Sequence, residues 1–166
     1  MSSPWRDKLE RRLREFKGSR LAIVGVGNPL RGDDGAGSLL ARRLAGRGLG
    51  NVFDGGSAPE NYAERIATSM PEIVIVVDAA CFGGRPGDAR LMSAEELAGG
   101  ALSTHDSSLR IFSSYLEERC GCRFYVIGVE PASRGLGAGL SPEVVETIDV
   151  LEEMLAGLVP DNLQSV

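Results

Sequence analysis

The chain has 166 residues, 43% of them hydrophobic, and a formal net charge of −5 from 18 basic and 23 acidic side chains. That is enough apolar material for one compact domain with its own core, while no run approaches the roughly 18 apolar residues a membrane helix needs. The acidic balance argues against nucleic acid as the main partner, because phosphate binding requires a basic surface.

In chain order, Ser3-Pro4 opens an amphipathic helix through about Phe16. This start is charged, unlike a secretory signal, so a cytoplasmic location is expected. Leu21–Val26 reads as a buried strand, followed by a glycine-rich turn and a helix over about Asp34–Leu44 that Gly46 and Gly48 end. Asn51–Asp54 is a short second strand; Ser57-Ala58-Pro59-Glu60 then spells a capping box for a helix running to about Ala67. Ile73–Val77 is an unbroken β-branched run ending at Asp78, the pattern of a strand buried on both faces.

Ala89–Met92 suggests a short additional strand, and Ser93–Glu96 a second capping box. Leu109, Phe112 and Leu116 lie at helical spacing after His105, and Phe124–Val129 is another buried strand. Ser141-Pro142 caps a final helix with Val144, Ile148, Leu151 and Leu155 on its apolar face. Alternating strands and helices predict an α/β fold: a single three-layer domain over residues 1–166, with a mostly parallel, twisted sheet and helices on both faces. Residues 158–166 are expected to be a frayed tail.

Three cysteines, Cys81, Cys120 and Cys122, make no disulfide framework and no CxxC pair, and read as free thiols in a reducing compartment. His105 is the chain's one histidine. Chemistry that needs imidazole must use it.

The stretch GVGNPLRGDDGAG, residues 25–37, occupies the place of a nucleotide-binding loop but lacks its chemistry. Leu30 stands where a dinucleotide fingerprint needs its last glycine, Pro29 removes a backbone donor, and no Walker lysine follows. In open parallel sheets ligands bind beyond the carboxyl ends of the strands. There the sequence collects Asp33, Asp34, Asp54, Asp78, His105 and Glu130. Such a cluster suits a divalent metal or a proton-sharing carboxylate pair. Four of these also have a purely structural explanation: Asp33 or Asp34 as a helix cap, Asp78 as an acceptor for backbone N–H groups, His105 as a surface-turn residue. Pro131 and Gly135, Gly137 and Gly139 make a flexible loop at the same edge, equally suited to docking a substrate or to plain connection.

GVGNPLRGDDGAG, DGGSAPEN, VVDAA and the THD turn, in that order, resemble the hydrogenase maturation endopeptidases, which trim the large subunit of [NiFe]-hydrogenases. DGGSAPEN is most similar to the branch serving the formate-hydrogenlyase-type enzyme. The resemblance covers about residues 20–156 and leaves an N-terminal helix, residues 1–18, outside it. It implies an endopeptidase that removes the C-terminal tail of a nickel-loaded large-subunit precursor. By motif, Asp34, Asp78 and His105 are its catalytic and metal-engaging residues. The nickel is carried by the substrate; zinc or cadmium is expected to enter the same site in vitro.

The mixed oxygen and imidazole set fits borderline metals and leaves positions open for substrate. No serine or cysteine nucleophile motif is present, so activated water is expected to cleave. Activation by metal or by carboxylate stays open at this level. Gly25, Gly27 and Asn28 shape the turn that presents Asp34, and Asp33 orients that turn or caps its helix. Glu130 departs from the family's usual Gln before proline. The partner implied is the precursor alone, with no nucleic acid and no membrane insertion, and a monomer is expected. The rival readings are a metal-sensing module of hydrogenase assembly without peptidase activity, and an aspartic peptidase working through Asp34 and Asp78 alone.

Overall fold

The β-branched run at Ile73–Val77 becomes the middle of a five-stranded sheet. The computed structural model of the chain describes residues 3–100 and 106–160. The strands are β1 (Leu21–Val26), β2 (Val52–Gly56), β3 (Ile73–Ala79), β4 (Ala89–Ser93) and β5 (Arg123–Val129). The helices are α1 (Pro4–Arg14), α2 (Ala36–Gly46), α3 (Ala63–Thr68), α4 (Ala94–Ala98), α5 (Asp106–Cys120) and α6 (Pro142–Ala156).

The strand order is β2-β1-β3-β5-β4. The β1–β2, β1–β3 and β3–β5 pairs are parallel; β4 runs antiparallel to β5. A parallel return needs a crossover of a dozen or more residues. The shorter link 80–88 therefore turns the chain back, placing β4 at the edge and leaving room for β5 to add beside β3.

Alternate residues of β3 feed two cores. Ile73, Ile75 and Val77 pack with Ile23, Leu91 and Ile127 under α1, α2 and α6, through Leu9, Leu13, Leu40, Leu44, Ile148 and Leu151. Val74 and Val76 pack with Val24, Met92 and Val126 under α3, α4 and α5, through Ile66, Leu97, Leu109, Phe112 and Leu116. This is the expected α/β sandwich, with the period-2 alternation of a strand covered on both faces.

The N-terminal helix, outside the sequence resemblance, belongs to the first core. Leu9, Leu13 and Phe16 are buried there, the Phe16 ring lies 4.8 Å from Tyr125, and Arg6 pairs with Glu146 of α6 at 2.7 Å. Burying each of those side chains is worth about 1.5–3 kcal/mol.

Three local expectations need correction. The turn after β1 first makes a 3-10 turn at Gly32–Gly35, so α2 starts at Ala36 rather than Asp34. Ser57 does not cap a helix: β2 extends to Gly56, and Pro59 starts a 3-10 turn whose N-cap is Ala58. Proline's fixed φ sets that start one residue later than the capping-box pattern. Ser141 does hold the N-cap position of α6, but its side chain makes no cap bond. The Ser93–Glu96 box forms as expected, with Glu96 N–H donating to Ser93 Oγ at 3.3 Å and Ser93 N–H to Glu96 Oε2 at 3.0 Å.

The three cysteines are unpaired. Among the described residues no helix is long and apolar enough to cross a membrane. The expected frayed tail falls largely on residues 161–166, outside the described residues.

Candidate active site at the carboxyl edge of the sheet

The loops leaving β1, β3 and β5 meet at one edge because those strands are parallel neighbours. Two glycines let them meet closely. Gly37 opens α2 directly over the strand ends, where a Cβ would come 2.1 Å from the Val77 carbonyl oxygen and 2.5 Å from that of Val26. Gly27 has φ +130°, and a Cβ there would come 1.8 Å from the Asp34 carbonyl oxygen and 3.7 Å from Asp78 Oδ1. Only glycine lets the turn fold down on the end of β3.

Within the turn, Asn28 N–H donates to Asp34 Oδ2 at 2.8 Å, and Leu30 N–H donates to Asn28 Oδ1 at 2.9 Å. Asp34 is thereby fixed in the turn, near enough for its charge to act on Asp78. The sequence assigned Gly27 and Asn28 to shaping this turn, and both do.

Asp78, the penultimate residue of β3, is fully buried. Neither of its carboxylate oxygens has a hydrogen-bond partner among the described residues. Burial pushes its pKa up to about 8, and the neighbouring charge of Asp34 pushes the same way. The Ala79 backbone N–H and the Arg134 guanidinium favour the anion and are outweighed. A buried carboxylate without donors is costly unless a cation or a shared proton compensates it. The structural explanation offered for Asp78, backbone N–H bonds from the next loop, is not what the structure has.

Asp33 is equally buried and opposite in character. Its carboxylate accepts from Ala132 N–H at 2.8 Å, Ser133 N–H at 2.9 Å, Ser141 N–H at 2.7 Å and Ser141 Oγ at 2.6 Å. Burial alone would raise its pKa, but these bonds, led by the Ser141 hydroxyl, hold it below the ordinary carboxylate value. Asp33 caps no helix. It ties the segment after β5 to the turn after β1.

Asp54 and Glu130 are turned to structural tasks. Asp54 accepts from Ser38 Oγ at 2.7 Å and Arg42 Nε at 2.8 Å, binding the end of β2 to α2. Glu130 Oε2 accepts from Phe82 N–H at 2.8 Å and Gly84 N–H at 3.3 Å, bracing the β3–β4 link. An amide oxygen would accept the same bonds, so Glu and Gln are interchangeable for that task.

Arg134 is the residue that sequence reading missed. Its Nη2 lies 3.6 Å from Cys81 Sγ, and its Nε is buried without a hydrogen-bond partner among the described residues. Its only signal in the sequence is a place in the glycine-rich loop at this edge. His105, the third expected site residue, lies outside the described residues, just before α5. Among the described residues no three His, Cys, Asp or Glu side chains group as a metal shell; Asp34 and Asp78 supply two carboxylates.

A carboxylate pair at the carboxyl edge of an open α/β sheet, one member with a raised pKa, is a candidate site for acid–base work on water. Residues 36–158 match the family model HycI, hydrogenase maturation protease. The hydrogenase 3 maturation protease of Escherichia coli K12 is 33% identical over 138 residues, covering 81% of this chain and 88% of that protein.

The crystal structure of a [NiFe] hydrogenase maturation protease HycI from Thermococcus kodakarensis superposes with a TM-score of 0.81 at 36% identity, covering 89% of this chain and 97% of that one. The hydrogenase maturating endopeptidase HybD of E. coli gives a TM-score of 0.68 at 28% identity, over 84% of this chain and 91% of that one. The chain belongs to the hydrogenase maturation protease family, and it is a peptidase.

Proposed function

We propose that this peptidase removes the C-terminal tail of a nickel-loaded [NiFe]-hydrogenase large-subunit precursor in the cytoplasm, with Asp34, Asp78 and His105 as its site. The nickel is part of the substrate. The observation that carries the reading is Asp78: a carboxylate buried beside Asp34, with both oxygens unpartnered among the described residues. The Arg134 guanidinium offsets only part of that cost, and a precursor-borne metal ion would supply the rest. His105 would add a borderline nitrogen ligand to two hard oxygens, a mixture nickel accepts.

When bound, the ion polarises the scissile carbonyl or a water. The chain's own residues orient the pair: Asn28 fixes Asp34, and the end of β3 fixes Asp78. Before the ion arrives, the raised pKa keeps a proton on Asp78, which ion binding displaces.

That raised pKa also favours a second reading, in which Asp34 and Asp78 share one proton and activate water without metal, as an aspartic dyad does. Incubating the purified chain with nickel-loaded precursor should give a shortened large subunit, and nickel-free precursor should stay intact. Equal cleavage of both forms would support the dyad. A precursor that is bound but never shortened would reduce the chain to a binding module.

A further inference from the structure

Leu30 and Leu136 stand out at the carboxyl edge, at 68% and 76% exposed. They belong to separate loops, the turn after β1 and the segment after β5. Gly137 N–H donates to the Leu30 carbonyl oxygen at 2.8 Å, which sets the two leucines beside each other. Below them Asp33 N–H donates to the Ser133 carbonyl oxygen at 2.9 Å, and the Asp33 carboxylate takes its bonds from Ala132, Ser133 and Ser141. Gly32, at φ +56°, keeps the approach open, since a Cβ there would come 2.7 Å from the Ser133 carbonyl oxygen.

Residues 132–139 are exposed apart from the half-buried Arg134, so this firmly held loop adds little to either core. A buried carboxylate is a large commitment for a plain connector. What the tether fixes is the position of the loop's tip, and the tip carries a leucine. Scattered exposed leucines are ordinary; two held together next to a catalytic pair form a contact surface.

We propose that Leu30 and Leu136 form an apolar lip that seats apolar side chains of the precursor polypeptide next to its scissile bond. The proposal rests on the endopeptidase reading. A polypeptide is the occupant because the two loops that carry the lip also carry residues at the acid pair, Asp34 itself and Arg134, whose charge acts on Asp78. Asp34, in the same turn as Leu30, holds Asn28 N–H, and Arg134 of the other loop reaches Cys81 three residues past Asp78. A metal ion or a water gains nothing from leucine. An extended peptide advances about 3.3 Å per residue, so a polypeptide held at the pair can reach a neighbouring loop within a few residues.

The test uses Leu30→Ser, Leu136→Ser and the double variant, with Met70→Ser as control. Met70 is 54% exposed and lies between α3 and β3, at the opposite edge of the sheet. Processing kinetics and equilibrium binding of nickel-loaded precursor are measured separately. Each lip substitution should raise KM and Kd about tenfold, the double variant more, with kcat changed by less than about twofold. Met70→Ser should match wild type.

Lip variants that bind and cut like wild type would overturn the proposal, as would equal weakening by Met70→Ser. If wild type binds precursor without cutting it, the endopeptidase reading fails, while the Kd series still decides the lip.

Discussion

Asp33 and Asp78 are both fully buried at the same edge of the sheet, and their surroundings are opposite. Asp33 is saturated by donors from the segment after β5; among the described residues Asp78 has only the weak help of the Ala79 N–H and the Arg134 charge, with a second carboxylate nearby. The first has its pKa lowered and the second raised to about 8. Burial sets the cost of charge in both cases; the donor inventory decides whether the fold or a substrate meets it. One aspartate holds the edge together, and the other is the one we propose for chemistry.

The largest effect that tests this contrast is on activity. Asp78→Asn should lower precursor processing roughly a thousandfold or more, as loss of a group acting directly on the reacting atoms does, while leaving the chain folded. It should also raise the melting temperature at pH 8. The Asp78 pKa is about 8 in the fold against about 3.9 unfolded. Its stabilising proton is fully held below the unfolded value and is lost as pH rises through 8. The melting difference between variant and wild type should therefore grow from pH 5 to pH 8. A difference independent of pH would show that Asp78 is not carrying a buried proton.

Asp33→Ala should do the reverse, with stability as the main loss. It orphans three backbone N–H groups and a hydroxyl, for roughly 2–4 kcal/mol by urea denaturation. The sign of its pH dependence is also opposite. A lowered folded pKa gives stability that is present above the unfolded value and lost as pH falls through the folded one. Wild type should thus lose more stability on acidification than Asp33→Ala does. Equal acid sensitivity would break the contrast from the other side.

His105→Ala sharpens the chemical half. Imidazole binds metal only when neutral, so wild-type processing should weaken as pH falls through about 6.5. Processing assays between roughly pH 5.5 and 8 should show the variant nearly inactive, without that titration. A variant with wild-type rates would remove His105 from the site. The smallest effect is expected for Glu130→Gln, which keeps an acceptor for Phe82 and Gly84 N–H: less than about 1 kcal/mol by urea denaturation.

The fold was legible where side-chain pattern alone carries it. Ile73–Val77 announces a doubly covered strand, and its alternate residues do divide between two cores. Asp34 and Asp78 were legible as strand-end acids within a motif. Asp54 was too, but side-chain donors on α2 occupy it, and their approach depends on helix–sheet packing that no local pattern records. The Asp33 tether was not legible at all. Three of its four bonds come from backbone N–H groups, and backbone donors leave no mark on residue identity. Ser57 misled because a capping-box pattern outvoted the proline two residues on.

The Asp33 tether joins residues 108 positions apart in the chain at Ser141. Contacts of that separation close late, after the loop entropy between them has been overcome. A chain emerging from the ribosome can build β1, α2 and β3 long before Ser141 exists to meet Asp33. The edge that carries Asp34 and Asp78 is therefore completed only once the start of α6 has been made. Until residues 132–141 are available, the turn after β1 has nothing to hold its buried Asp33 in place.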